Sequence, residues 1–332
     1  VKRGVRIAIV GATGLVGESL LTALEERGYE PSTLALFASA RSAGSTRTAF
    51  GKSWPVRELA GASDFANIDI AFFAAGAATS SAHARAAASA GALVIDKSAA
   101  FRLDDTVPLV VPEINAARAI GARLIANPNC ATIPLALTLA PIAREFGLAW
   151  ASVATYQSVS GAGRAALEEY RAQCAGAQEV SELPRRIAGS VIPENGSFDA
   201  DGHADEERKI AAELRKILEL PDLRVSATSV RVPVAVGHCE AVSFGTQRPA
   251  TRAQIADALR PAPGVRFLDG AGYATPLDVV GTDDVAVGRL RPDDAHASGW
   301  LCWIACDNLR KGAATNAVQI AESIGAASGV AT

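Results

Sequence analysis

Near its start the chain runs RIAIV straight into GATGLVG, an apolar run followed by glycines at positions 11, 14 and 17. A chain that leaves a short strand, turns on glycine and opens a helix sets a helix N-terminus at the mouth of a sheet. The unpaired N–H groups and helix dipole there favour an anion, and glycines let the backbone approach a pyrophosphate. Gly11, Thr13, Gly14 and Gly17 are therefore candidate cofactor-binding residues. A GxxGxxG by itself is also satisfied by a tight helix–strand crossing, so the surrounding pattern has to decide. From residue 5 to about 128 short apolar runs alternate with helical ones: VRIAIV, a helix over 14–28, LALFAS, IDIAFFAA, a helix over 79–91, ALVID and LIAN. Strands alternating with helices predict a parallel, doubly wound α/β sheet.

The end of the second strand bears on which dinucleotide would fit. An acidic residue there would bind the ribose hydroxyls of NAD. This chain has LALFASARSAG instead, with Ser39, Arg41 and Ser42 and no acid. A cation flanked by hydroxyls suits a 2′-phosphate, which points to NADP. The alternative for Arg41 is a solvated loop charge.

At 332 residues the chain exceeds the usual single core. After residue 130 the strands change character: ASVATYQSVS, RVSATSVRVPV, EAVSFGTQ, DVAVGRLR and WLCWIACDN follow with fewer crossovers, as in a mostly antiparallel sheet with helices on one face. A helix over 310–324 has an apolar stripe that could pack on either domain, and 193–207 reads as a polar loop. The net charge of -3 gives no sign of a nucleic-acid partner. Five scattered cysteines without CxxC spacing suggest a reducing compartment and no zinc site. The first seventeen residues imitate a signal peptide, but their glycines are too regular and charges follow at Glu18, Glu25, Glu26 and Arg27. No stretch is apolar enough to span a membrane.

One cysteine stands apart. In IANPNCATIP a strand ends near 126, Asn-Pro-Asn turns, and helical spacing begins at 131, so Cys130 falls at a helix N-terminus that favours a thiolate. The alternative is a small buried residue at a turn. Four further stretches put polar residues where strands end. Gln157 closes TYQS, and RVPVAVGHCEA brings Arg231, His238 and Glu240. A lone histidine is usually structural, but beside a reactive thiol it becomes a candidate acid/base. Arg102 in SAAFR, and Glu206 with Lys209 in ADEERKI, read equally well as solvated surface. His83, His203 and His296 give no reason for a functional reading, and Cys174, Cys239, Cys302 and Cys306 read as small packing residues.

In order and spacing GATGLVG, SARSAG, SAAFR, VVPEIN, NPNCATI, TYQSVSGAG, RVPVAVGHCEA, VGRLR and DNLRKGAATNAVQIAE resemble the aspartate-semialdehyde dehydrogenase family over nearly the whole chain. The resemblance implies a Rossmann-type NADP-binding domain over 1–128 plus 312–332, and an α+β catalytic and dimerisation domain over 129–311. It implies Cys130 as nucleophile, Gln157 as its orienting partner and His238 as acid/base. Arg231 would hold the substrate carboxylate, Glu206 or Glu240 its amino group, and Arg102, Asn129 and Lys209 the phosphate. Gly161 in TYQSVSGAG falls on the cofactor side. The implied reaction is the reversible, NADP-dependent conversion of 4-aspartyl phosphate to aspartate semialdehyde and phosphate, in lysine, methionine and threonine biosynthesis, by a cytoplasmic homodimer. Lys97, Ala99 and Cys239 depart from the family's usual residues. The rival readings are an N-acetyl-glutamyl-phosphate reductase, a glyceraldehyde-phosphate-type dehydrogenase, and a catalytically silent homologue acting as an interaction protein.

Overall fold

The computed structural model describes residues 2–327, and the chain divides into two compact units, Val1–Pro128 with Ala313–Thr332, and Asn129–Gly312. In the first unit, β1 (Arg6–Val10), β2 (Thr33–Ala38), β3 (Thr46–Ala49), β4 (Lys52–Glu58), β5 (Ile70–Phe73), β6 (Leu93–Asp96) and β7 (Leu124–Ala126) form one sheet. Its order is β3-β4-β2-β1-β5-β6-β7. Every neighbouring pair is parallel except β3 with β4. Strands β5 and β6 are buried along their whole length, as a parallel sheet covered on both faces requires. That is why they read as unbroken apolar runs. The β3–β4 pair carries no such run, since its outward residues are exposed, and sequence periodicity gave no sign of it.

The last helix, Thr315–Ala327, is part of the first unit. Ala317, Val318, Ile320 and Ala321 share a core with Ile7, Ile9, Leu20 and Leu24. Val318 and Ile320 are fully buried, each contributing about 1.5–3 kcal/mol. Asn316 Nδ2 donates to Asn127 Oδ1 at 2.7 Å, and Arg27 Nε donates to the Glu322 carboxylate at 3.1 Å. The α-helix does not begin at 310 as its spacing suggested. Arg310–Ala314 is a π-helical turn. Asp307 causes this, because its Oδ1 accepts the N–H of Leu309 and its carbonyl accepts the N–H of Gly312, five residues on.

The second unit has β8 (Leu148–Gln157), β9 (Arg224–Arg231), β10 (His238–Thr246), β11 (Val265–Phe267), β12 (Val285–Pro292) and β13 (Gly299–Cys306), in the order β11-β12-β13-β10-β8-β9. The central pairs are antiparallel, and β8 with β9 and β11 with β12 are parallel. Helix Thr132–Phe146 is buried at every position from Thr132 to Ala140, which marks it as a core helix rather than a surface one. A second helix, Asp205–Leu218, begins inside the stretch expected to be a loop. Asp205, Glu206 and Glu207 look like loop residues in sequence, but in a first turn they complement the helix dipole. Glu207 also accepts the Ala204 N–H at 3.0 Å.

Candidate active site

Cys130 lies just before helix Thr132–Phe146, whose N-cap is Ala131. Asn129 holds that turn in four directions. Its Oδ1 accepts the Ala131 N–H at 2.8 Å and its carbonyl accepts the Ile133 N–H at 3.1 Å. Its own N–H donates to Glu213 at 2.7 Å, and its Nδ2 donates to Glu206 Oε1 at 2.8 Å. The sulfur is thereby fixed at a helix start where negative charge is favoured. From the other side Gly312 comes close: a Cβ there would stand 3.2 Å from Cys130 Cβ.

His238 is the first residue of β10 and is buried, so it sits within the sheet rather than on a projecting turn. Its Nε2 is 3.4 Å from Cys130 Sγ. Gln157 and Arg231 end β8 and β9, and the parallel register sets them side by side. Arg231 Nη1 donates to the Ser158 carbonyl at 2.9 Å and to Gln157 Oε1 at 3.3 Å. Gln157 Nε2 donates in turn to Glu206 Oε1 at 3.2 Å. One hydrogen-bonded chain therefore runs from Arg231 through Gln157, Glu206 and Asn129 to the cysteine turn. Burial lowers the pKa of the Arg231 guanidinium, against the attraction of Cys130 and Glu206, yet an arginine stays charged. Lys209, one helical turn beyond Glu206, is half-buried, and its side chain makes no hydrogen bond or ion pair with the described residues. Gly161 abuts the same group: a Cβ there would lie 2.8 Å from Arg231 Nη1 and 3.2 Å from His238 Nε2.

The remaining candidates lie in the first unit. Arg102 is buried, with its Nε donating to the Asn127 carbonyl at 3.0 Å and Nη2 to the Lys97 carbonyl at 2.6 Å. The N–H groups of Gly11 and Ala12 both donate to the Phe37 carbonyl, at 2.8 and 3.0 Å, which sets the glycine turn against the end of β2. Gly11 has φ +92°, and a Cβ on it would be 2.7 Å from the Ala74 backbone, so no other residue fits. Helix Leu15–Glu26 starts with Gly14 as N-cap and no side-chain capping bond, leaving its first-turn N–H groups to an anion. Ser39, Arg41 and Ser42 form the turn after β2, closed by Ser42 N–H to the Ser39 carbonyl at 2.9 Å, with Arg41 exposed. This cradle fits a dinucleotide.

Two expectations need correction. Glu240 is 1% exposed, and neither carboxyl oxygen has a hydrogen-bond partner among the described residues. Strand alternation gives it the same face as His238, one step deeper. Burial pushes its pKa well above the usual range, and the described residues leave its carboxyl no exposed face. Glu206 is the acid that joins the cluster. Cys174 is exposed and not a packing residue. The other three thiols are buried as expected, and burial pushes Cys239 and Cys302 up to about 12 and Cys306 well above its ordinary value. Ser158, Ser160, Asn308 and Glu213 also hold the site, and sequence reading passed over all four. The only signal available was their place at strand ends or, for Glu213, two helical turns after Glu206.

A parallel nucleotide-type sheet in one unit, and a thiol–imidazole pair on a mixed sheet in the other, define a two-unit dehydrogenase of the semialdehyde type. Two family models agree. "Semialdehyde dehydrogenase, NAD binding domain" matches residues 6–122 and "Semialdehyde dehydrogenase, dimerisation domain" matches residues 139–311. An aspartate-semialdehyde dehydrogenase of Aquifex aeolicus is 43% identical, covering 96% of this chain and 97% of the relative. The crystal structure of aspartate semialdehyde dehydrogenase II of Vibrio cholerae, complexed with ASA, superimposes with a TM-score of 0.93 at 41% identity, over 97% of this chain and 98% of that one. The enzyme of Candida albicans, solved with NADP, gives a TM-score of 0.75 at 26% identity, over 96% and 98% of the two chains. The chain belongs to the aspartate-semialdehyde dehydrogenase family.

Proposed function

We propose that this protein converts 4-aspartyl phosphate to aspartate semialdehyde and phosphate, reversibly, through a thioester on Cys130. The observation that carries the mechanism is the Cys130 Sγ to His238 Nε2 distance of 3.4 Å, beside a buried arginine and a fixed acid. The Cys130 thiolate adds to the acyl carbon, the C–O bond to phosphate breaks, and the phosphate leaves with its electron pair and takes a proton. When bound, NADPH supplies the hydride that reduces the thioester. His238, as acid and base, holds a proton on Nε2 beside the sulfur and gives it toward the substrate oxygen as charge develops there. Collapse of the thiohemiacetal then returns the oxygen's proton to His238, forms the aldehyde carbonyl, breaks the C–S bond and restores the thiolate.

The other roles follow from charge and shape. Arg231 takes the substrate carboxylate on its planar fork, Glu206 the amino group, and Gln157 orients the acyl group. Lys209, with Arg102 and Asn129, takes the phosphate. The residues over 1–128 plus 312–332 serve as the NADP-binding domain, and those over 129–311 as the catalytic and dimerisation domain. Gly11, Thr13, Gly14 and Gly17 cradle the pyrophosphate, Ser39, Arg41 and Ser42 the 2′-phosphate, and Gly161 leaves room on the nicotinamide side. Five cysteines outside any disulfide among the described residues fit a reducing compartment, and we place the working homodimer in the cytoplasm, in lysine, methionine and threonine biosynthesis.

Cys130→Ala tests the nucleophile. It should fold as the parent does and lose turnover by several orders of magnitude; substantial activity in a folded variant sinks the mechanism. Alkylation should be read in a Cys174→Ser background, because Cys174 is exposed and would react as well.

A further inference from the structure

The ring of His238 is held from behind by groups that no step above uses. Ser158 N–H donates to His238 Nδ1 at 3.1 Å, and Ser158 Oγ is 3.0 Å from the same nitrogen. Ser160 Oγ is 3.1 Å from Ser158 Oγ, and Asn308 Nδ2 donates to Ser160 Oγ at 3.0 Å. Asn308 Oδ1 accepts the backbone N–H of Gly237, the residue before His238, at 2.9 Å. A backbone N–H can only donate, which fixes the sense at both ends: the Asn308 oxygen faces Gly237, and Nδ1 is an acceptor. The hydroxyl protons of Ser158 and Ser160 could also turn to Asn308 Oδ1, at 3.1 and 3.3 Å, but the Ser158 N–H already marks Nδ1 as unprotonated. The Ser158 N–H is therefore the donor that makes Nδ1 an acceptor, and Asn308 ties the turn carrying it, through both hydroxyls, to the backbone just before the ring. All four side chains are at most 3% exposed, so water does not compete with them.

We infer that Asn308, acting through Ser160 and Ser158, is a positioning residue that fixes His238 with Nδ1 as acceptor and its proton on Nε2, facing Cys130. This rests on the reading of Cys130 and His238 given above. The tautomer of a histidine is set by the hydrogen bond its far nitrogen makes. The flipped tautomer would turn an Nδ1–H against the Ser158 N–H, donor against donor, in a buried site. Asn308 follows directly on β13 and bonds both the residue preceding β10 and the turn after β8, so it also fixes where the ring stands.

The test is ¹⁵N NMR of histidine-labelled protein. The chain has four histidines, and the His238 signals are assigned by loss in His238→Asn. The parent should show a bare Nδ1 and a protonated Nε2. Asn308→Ala and Ser160→Ala, which release the turn that carries the Ser158 N–H, should move both signals toward a mixture of tautomers. kcat should fall about tenfold or more, while the KM for the aldehyde stays within about twofold, since Arg231 has no bond to Asn308. Unmoved ring signals in the variants, or a protonated Nδ1 in the parent, overturn the inference. Should Asn308→Ala fail to fold, Ser160→Ala decides alone, for it removes the one oxygen through which Asn308 holds the Ser158 turn. The spectra do not depend on turnover, so an active Cys130→Ala would remove the proposed function and leave this result standing.

Discussion

Gly161→Ala would test whether the packed cluster at the ends of β8 and β9 is as tight as it looks. The added Cβ would lie 2.8 Å from Arg231 Nη1 and 3.1 Å from His238 Cε1, whereas ordinary contact begins at 3.4 Å. Nη1 must therefore retreat by the difference, 3.4 − 2.8 = 0.6 Å. That atom is a flexible tip, but it is buried and already bonded to the Ser158 carbonyl at 2.9 Å and Gln157 at 3.3 Å. A retreat of that size stretches the first bond to about its limit and breaks the second. Losing one hydrogen bond from a charged group costs about 1.5–3 kcal/mol, which is about 10- to 100-fold in rate. We expect kcat/KM for the aldehyde to fall by that factor, with the loss shared between KM, through Arg231, and kcat, through His238. Initial rates over a matrix of aldehyde and NADP concentrations separate these terms. A kcat/KM within twofold of the parent refutes the packing argument, and a rise in the NADP KM alone would mean that Gly161 matters to the nucleotide and not to this cluster.

The exposed Arg41 should discriminate cofactors: Arg41→Ala is expected to weaken NADP by about 1.5–3 kcal/mol and leave NAD nearly unchanged, in binding measured by fluorescence titration. Equal losses for both would reduce Arg41 to a loop charge. Glu240 makes stability depend on pH. Its folded pKa is raised by burial, so its contribution is fully present below the unfolded carboxylate pKa and is lost as pH rises toward the folded value. Glu240→Gln, neutral at every pH, should flatten the decline in melting temperature as pH rises above the ordinary carboxylate range; an unaltered decline would mean that Glu240 is not the cause.

Much of this site could be read from residue order because its groups lie at strand ends, where apolar runs stop and a polar residue has no packing reason to be there. Cys130, Gln157, Arg231 and His238 all have that signature. Glu206 and Lys209 did not, since an acidic first turn looks like a solvated loop until the helix it starts is seen packed beside the cysteine turn. Glu240 shows the opposite failure. Its position two residues from His238 gives the same face but says nothing about depth, and the structure seals it. Asn308, Ser158 and Ser160 also lie near strand ends but were passed over for a third reason: they hold another side chain across β10, β8 and β13, and no local pattern carries a partnership over that span. The polar β3–β4 pair was missed because periodicity registers buried faces, and this edge has little to bury.

Acyl-phosphate chemistry at Cys130 differs from an aldehyde oxidation in which water resolves the thioester. The most direct measurement is the initial rate of NADP reduction by aspartate semialdehyde as inorganic phosphate is varied, for the parent and for Lys209→Ala. The rate should rise from near zero and saturate with phosphate, with arsenate able to replace it. Lys209→Ala should need more phosphate at little change in the aldehyde requirement. Full turnover with phosphate and arsenate both absent would contradict acyl-phosphate chemistry, even with Cys130 essential.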